Sequence, residues 1–133
     1  MSRRDVLLGA LESAPRDLAR LCAAAGEDGD EHGAAGVVAA MCEGEAAFRA
    51  RLGDGAEDEP AAGSLGELAA AFAAERQRTL GLLRGLRPGE WQRPPAGADT
   101  GTSVRGLVQQ LVDHDTLQLA ELARLRSLAR SGR

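Results

Sequence analysis

His114 and Gln118, four residues apart, form the chemically most suggestive pair in this chain. On an α-helix that spacing stacks two side chains one above the other, which is how a single helix offers two ligands to a metal ion. Asp115 stands beside them. An amide is a poorer ligand than an imidazole or a carboxylate, so the plainer reading of the trio is a hydrogen-bonded polar layer, with a metal site as the alternative. Arg76 and Glu45 belong to the same question, because each interrupts or borders an apolar stripe where burial is expected. A buried polar group without a partner destabilises a fold by roughly 1–3 kcal/mol, so these groups must find each other, another helix or a metal. Arg76 either pairs internally with a carboxylate or lays its stem over leucines and reaches out to water.

Other reactive types are sparser. Cys22 and Cys42 are too few for a disulfide framework or a metal quartet, and Cys42, which the helical pattern sets off the apolar face of its segment, is either reactive or an inert thiol. Asp28, Asp30 and Glu31 carry charges that attract calcium, yet their order does not fit the EF-hand pattern, and a solvated turn with an exposed His32 is expected. No phosphate-cradling glycine loop and no Ser/His/Asp catalytic pattern occurs.

Four amphipathic segments must position these groups. Leu7, Leu11, Leu18, Leu21 and Cys22 recur at helical spacing over about 5–25, with Pro15 expected to bend that helix near Leu11 or to restart it after Ser13. A second helix over 35–52 aligns Val37, Met41, Gly44, Phe48 and Leu52, with Ala40 and Ala47 beside them and Glu45 at the margin of the face. The small Ala40 and Gly44 leave space for a close helix or a polar layer. A third helix over 64–86 starts with the capping-box pair Ser64 and Glu67 and carries Leu65, Leu68, Phe72, Leu80, Leu83 and Leu86, with Arg76 near the centre of the stripe. The fourth, over 103–130, is capped by Ser103 or Thr102 and aligns Val104, Leu107, Val108, Leu111, Leu119, Leu122 and Leu125. Between the last two, the Pro- and Gly-rich stretch from Arg87 to Thr102 holds Trp91, which either pins the loop to the bundle as a structural anchor or stacks a ligand.

These segments predict an all-α antiparallel four-helix bundle in which residues 1–133 form a single domain. In an antiparallel bundle helix midpoints meet, so Glu45, Arg76, His114 and Asp115 are expected to share one internal polar layer. The chain has no Lys, Asn, Ile or Tyr, a bias attributed to a GC-rich genome because those residues share AT-rich codons. A formal charge of −4 argues against a nucleic-acid partner. No apolar run is long enough to cross a membrane and the amino-terminal stretch lacks a signal-peptide core, so a cytoplasmic location is expected.

The run Leu83, Leu86, Pro88, Glu90, Trp91, Arg93, then Thr102, Val104, Leu107 and Leu111 leading into Asp113, His114, Asp115, Leu119 and Glu121 resembles the DinB-like superfamily. That group includes the amino-terminal domains of mycothiol-dependent maleylpyruvate isomerases. Val37, Val38, Glu43, Glu45 and Phe48 are similar to the family's second helix. The resemblance implies a helical bacterial enzyme fold, often paired as a homodimer, with three histidines holding zinc or nickel. Their positions correspond here to Ala40, His114 and Gln118, so one of three is retained.

Two readings follow from the resemblance and the residues together. The first is a bundle without a functional metal site or other cofactor, binding a small molecule or a partner. The second is a metal- and thiol-dependent transferase or isomerase whose site is rebuilt from His114 with Glu43, Glu45, Asp115 or Glu121, and it requires those ligands to converge.

Overall fold

The computed structural model describes residues 2–25, 33–53, 62–95 and 101–131, and among these the chain is all-helical. Its α-helices are α1 (Arg3–Ala25), α2 (Ala34–Arg51), α3 (Leu65–Arg84) and α4 (Val104–Ser131), with a short 3-10 helix at Pro88–Gln92. The Asp28, Asp30, Glu31 and His32 segment lies outside the described residues. No helix of the described residues is long and apolar enough to cross a membrane.

Local chemistry sets the helix ends. Ser64 accepts a hydrogen bond from the Glu67 backbone N–H, and the Glu67 carboxylate accepts one from the Ser64 N–H, satisfying two donors that the first turn of α3 leaves open. Ser103 caps α4 through a single bond, accepting from the Gly106 N–H at 3.1 Å. Gly53 ends α2: its N–H returns to the Ala50 carbonyl at 3.1 Å while its own φ of +95° turns the chain through a conformation that costs residues with a Cβ. Pro15 sits inside α1, which runs unbroken from Arg3 to Ala25; the chain does not restart after Ser13.

Two apolar clusters hold the helices together. One gathers Leu7 and Leu11 of α1, Phe48 of α2, Leu80 and Leu83 of α3, Trp91, and Val104, Leu107, Val108 and Leu111 of α4. The other gathers Leu18, Val38, Met41, Cys42, Leu68, Phe72, Leu122 and Leu125. The order in which each helix enters the clusters fixes its direction. α1 and α4 pass from the first to the second, whereas α2 and α3 pass from the second to the first. Because α1 packs on α3 and α4, and α2 on the same two, the α1–α4 and α2–α3 neighbours run the same way. This departs from the expected all-antiparallel arrangement. The 13 positions from 52 to 64 that separate α2 from α3 are a length that permits neighbours of the same direction.

The buried face of α2 also differs from the expected one. It consists of Ala34, Val38, Met41, Cys42, Glu45, Phe48 and Arg49, while Ala40 and Ala47 are exposed. The face is thus rotated towards Cys42 and Arg49, and Glu45 occupies its centre instead of its margin.

Candidate functional site

Between the two apolar clusters the core is ionic. Arg76 of α3 is fully buried and its guanidinium serves three other helices. Nε donates to the Glu45 carboxylate of α2, Nη1 and Nη2 donate to the two Asp115 oxygens of α4 at 2.8 Å each, and Nη1 also donates to the Leu11 carbonyl of α1 at 2.8 Å. The paired contact with Asp115 is the fork-on-fork geometry that only arginine offers a carboxylate. The Phe72 ring lies 4.9 Å from the guanidinium carbon, adding an aromatic face to the cation's surroundings.

The Leu11 contact follows from Pro15. In a regular helix the Leu11 carbonyl accepts from the N–H four residues later, and proline has none. Arg76 donates to the oxygen that Pro15 leaves unpaired, so a helix-breaking residue in α1 is matched by a cation in α3.

A second guanidinium extends the layer. Arg49 of α2, almost fully buried, pairs with the Glu75 carboxylate and donates to the Glu75 carbonyl at 3.0 Å and to the Thr79 hydroxyl at 3.2 Å. The single Thr79 proton can serve the Glu45 carboxylate at 3.4 Å or the Glu75 carbonyl at 3.2 Å. Neither Arg49 nor Thr79 was singled out in the sequence. The signal was present, since Arg49 lies four residues after Glu45 and next to Phe48, but an alanine-rich helix gives little contrast between its faces.

Burial pushes the Glu45 carboxyl above the usual carboxylate range, and the Arg76 charge and hydrogen bond offset only part of that. For Arg76, burial opposes the charge, but the Asp115 hydrogen bonds and the Glu45 and Asp115 charges outweigh it and hold the guanidinium more firmly protonated than usual.

His114 is not a member of this layer. It is half-buried on the next residue of α4, and its Nε2 meets the Gln118 amide nitrogen at 3.1 Å. One residue of helical rotation, about 100°, separates its direction from that of Asp115. The α2 residue against its ring is Gly44, where a Cβ would lie 3.6 Å from Cε1 and 3.8 Å from Nδ1. Beside this pair an open cleft of about 270 Å³ runs between α2 and α4, floored by Phe48, Leu107 and Leu111 and bordered by Arg51, Gln110 and His114.

Cys42 lies on the buried face, which corrects its expected position off that face. Its thiol lies 3.8 Å from the Leu68 carbonyl, and burial, with the neighbouring Glu75, Glu45 and Glu43 charges, pushes its pKa up to about 11. Cys22 is half-buried on α1. Trp91 is buried in the first cluster with the Arg4 guanidinium carbon 5.6 Å from its ring centre.

Among the described residues, the donors around His114 do not fit a divalent metal. His114 is held by Gln118, Ala40 and Gly44 bring no ligand atoms from α2, and Glu45 and Asp115 are both engaged by Arg76. Glu43 is exposed, and Glu121 is paired with Arg124. Among the described residues no three His, Cys, Asp or Glu side chains converge as a metal-holding group.

Neither the curated proteins nor the solved structures contain a match to this chain. A family model does match, that of the DinB superfamily, over residues 35–122, from the start of α2 through the α4 segment carrying Asp115 and His114. With that match covering well over half its length, the chain belongs to the DinB superfamily.

Proposed function

We propose that this protein is a DinB-superfamily four-helix bundle that works without a divalent metal, as a small-molecule-binding domain. The observation that carries this reading is the commitment of the nearby carboxylates: Glu45 and Asp115 are engaged by Arg76, which leaves His114 with the Gln118 amide as its polar contact and Gly44 against its ring. One imidazole does not hold zinc or nickel against water and cellular chelators, and without the ion no bound water or thiol is activated by it. The cleft beside His114 has the apolar floor and few polar edge groups of a small-ligand site.

Elemental analysis of the purified protein, beside thermal unfolding with added zinc, nickel and manganese, tests the reading. Substoichiometric metal and unchanged melting temperatures are expected. A tightly held stoichiometric ion would instead favour the metal- and thiol-dependent transferase or isomerase.

A further inference from the structure

The α2–α4 cleft differs in charge from the acidic chain as a whole. The chain is acidic overall, at −4, yet among the described residues no carboxylate lines this cleft and Arg51 at its edge has no ion-pair partner. Arg49, half a turn earlier on the same helix, is buried in the ionic layer, so the two arginines at the end of α2 have different surroundings. Two turns before Arg51, about 10 Å along the helix, Gly44 opens the cleft at His114. The Gln118 amide nitrogen meets His114 Nε2, and the Cε1–Nδ1 edge of the ring is turned towards Gly44. A cation and an imidazole thus stand at the two ends of an apolar floor formed by Phe48, Leu107 and Leu111.

Resting on the binding-domain reading above, we infer that this cleft takes a small organic carboxylate, its anionic end at Arg51 and its apolar body along Phe48, Leu107 and Leu111 towards His114. The cleft volume suits a body of about one ring or a short branched chain. Gly44 acts as the specificity element, because a Cβ there already reaches van der Waals contact with the imidazole and a longer side chain takes up cleft space.

Phenylacetate and its neutral isostere phenylacetamide are the probes, titrated into the full chain and followed by backbone amide NMR. In an acidic protein nonspecific effects disfavour the anion, so a preference for it is diagnostic. Phenylacetate is expected to bind roughly tenfold tighter than the amide and to shift Gly44, Ala47 and Gln110. Arg51→Gln should reduce it to the affinity of the amide while leaving the amide unchanged. Gly44→Leu, or Ala47→Trp should the first variant fold poorly, should block both probes. Equal affinities, or indifference to Arg51→Gln, overturn carboxylate recognition and leave a neutral-ligand cleft standing. Shifts elsewhere, or no saturation by about 10 mM, overturn the site itself. Repeating the titration with a chelator separates the two readings: binding that vanishes with removal of a stoichiometric ion overturns the metal-free reading, whereas chelator-insensitive binding tests carboxylate recognition alone.

Discussion

Removing the Arg76 guanidinium takes a hydrogen-bond donor from three helices at once. Arg76→Met leaves Glu45 and Asp115 buried without the cation that pairs them and the Leu11 carbonyl with no donor, and a loss of roughly 3–5 kcal/mol in chemical denaturation is expected. Double-mutant cycles of Arg76 with Asp115 and with Glu45 should give coupling energies well outside error; values near zero would mean that the ion pairs contribute nothing in solution. Glu45 also predicts a pH dependence with a definite sign. Its carboxyl is raised on folding, so the folded chain holds that proton at pH values where the unfolded chain has lost it. The associated stability is complete below the unfolded carboxylate range and is lost as pH rises through the folded value. The stability of wild type relative to Glu45→Gln should therefore improve as pH falls from about 7 towards about 5, and a difference that is flat or opposite in sign would contradict the assignment. At this scale the sequence was partly legible. Arg76 stood out because charge between Phe72 and Leu80 breaks a stripe of large apolar residues. His114 was misplaced because periodicity alone does not resolve the 100° between it and Asp115.

Pro15 and Arg76 form a unit that spans two elements, and its energetics can be isolated. Replacing Pro15 with Ala restores the N–H that the Leu11 carbonyl lacks, which matters little while Arg76 donates there and more once it does not. Pro15→Ala should thus gain more stability in the Arg76→Met background than in wild type; equal gains would mean that the Arg76–Leu11 bond does not replace the helical one. The stretch between α3 and α4 is held by Trp91, and Trp91→Ala should cost on the order of 3 kcal/mol. Its indole N–H has no hydrogen-bond partner among the described residues, so Trp91→Phe should recover much of that loss. The helices themselves were readable from leucine spacing, and α3 and α4 most clearly, because their apolar positions carry large side chains. α2 was harder: with alanine or glycine at 34, 35, 36, 39, 40, 44, 46, 47 and 50, hydropathy barely separates one face from another, and the burial of Arg49 runs against its composition.

Across the whole molecule, the ionic layer separates two apolar halves, and helices running in both directions meet there at one level. Segment lengths showed that midpoints would coincide, but not which neighbours run parallel, since that depends on how the chain crosses between α2 and α3. An apolar interior built from leucines tolerates sliding by a turn, because leucine meets leucine at several registers. A guanidinium that must reach Glu45, Asp115 and the Leu11 carbonyl together is satisfied at one register only. Replacing the triad by Arg76→Met, Glu45→Leu and Asp115→Leu, with Pro15→Ala to re-pair the Leu11 carbonyl, removes the desolvation cost of three charges and narrows the ionic layer to Arg49, Glu75 and Thr79. Stability equal to or above wild type is expected, as for other buried ion clusters exchanged for apolar residues of similar volume. The loss should show in uniqueness: amide resonances of α2 and α3 should broaden or double as alternative registers become populated. A variant that is more stable and gives a single sharp set of resonances would show that shape complementarity of the two apolar clusters fixes the register, with the charges contributing none of it.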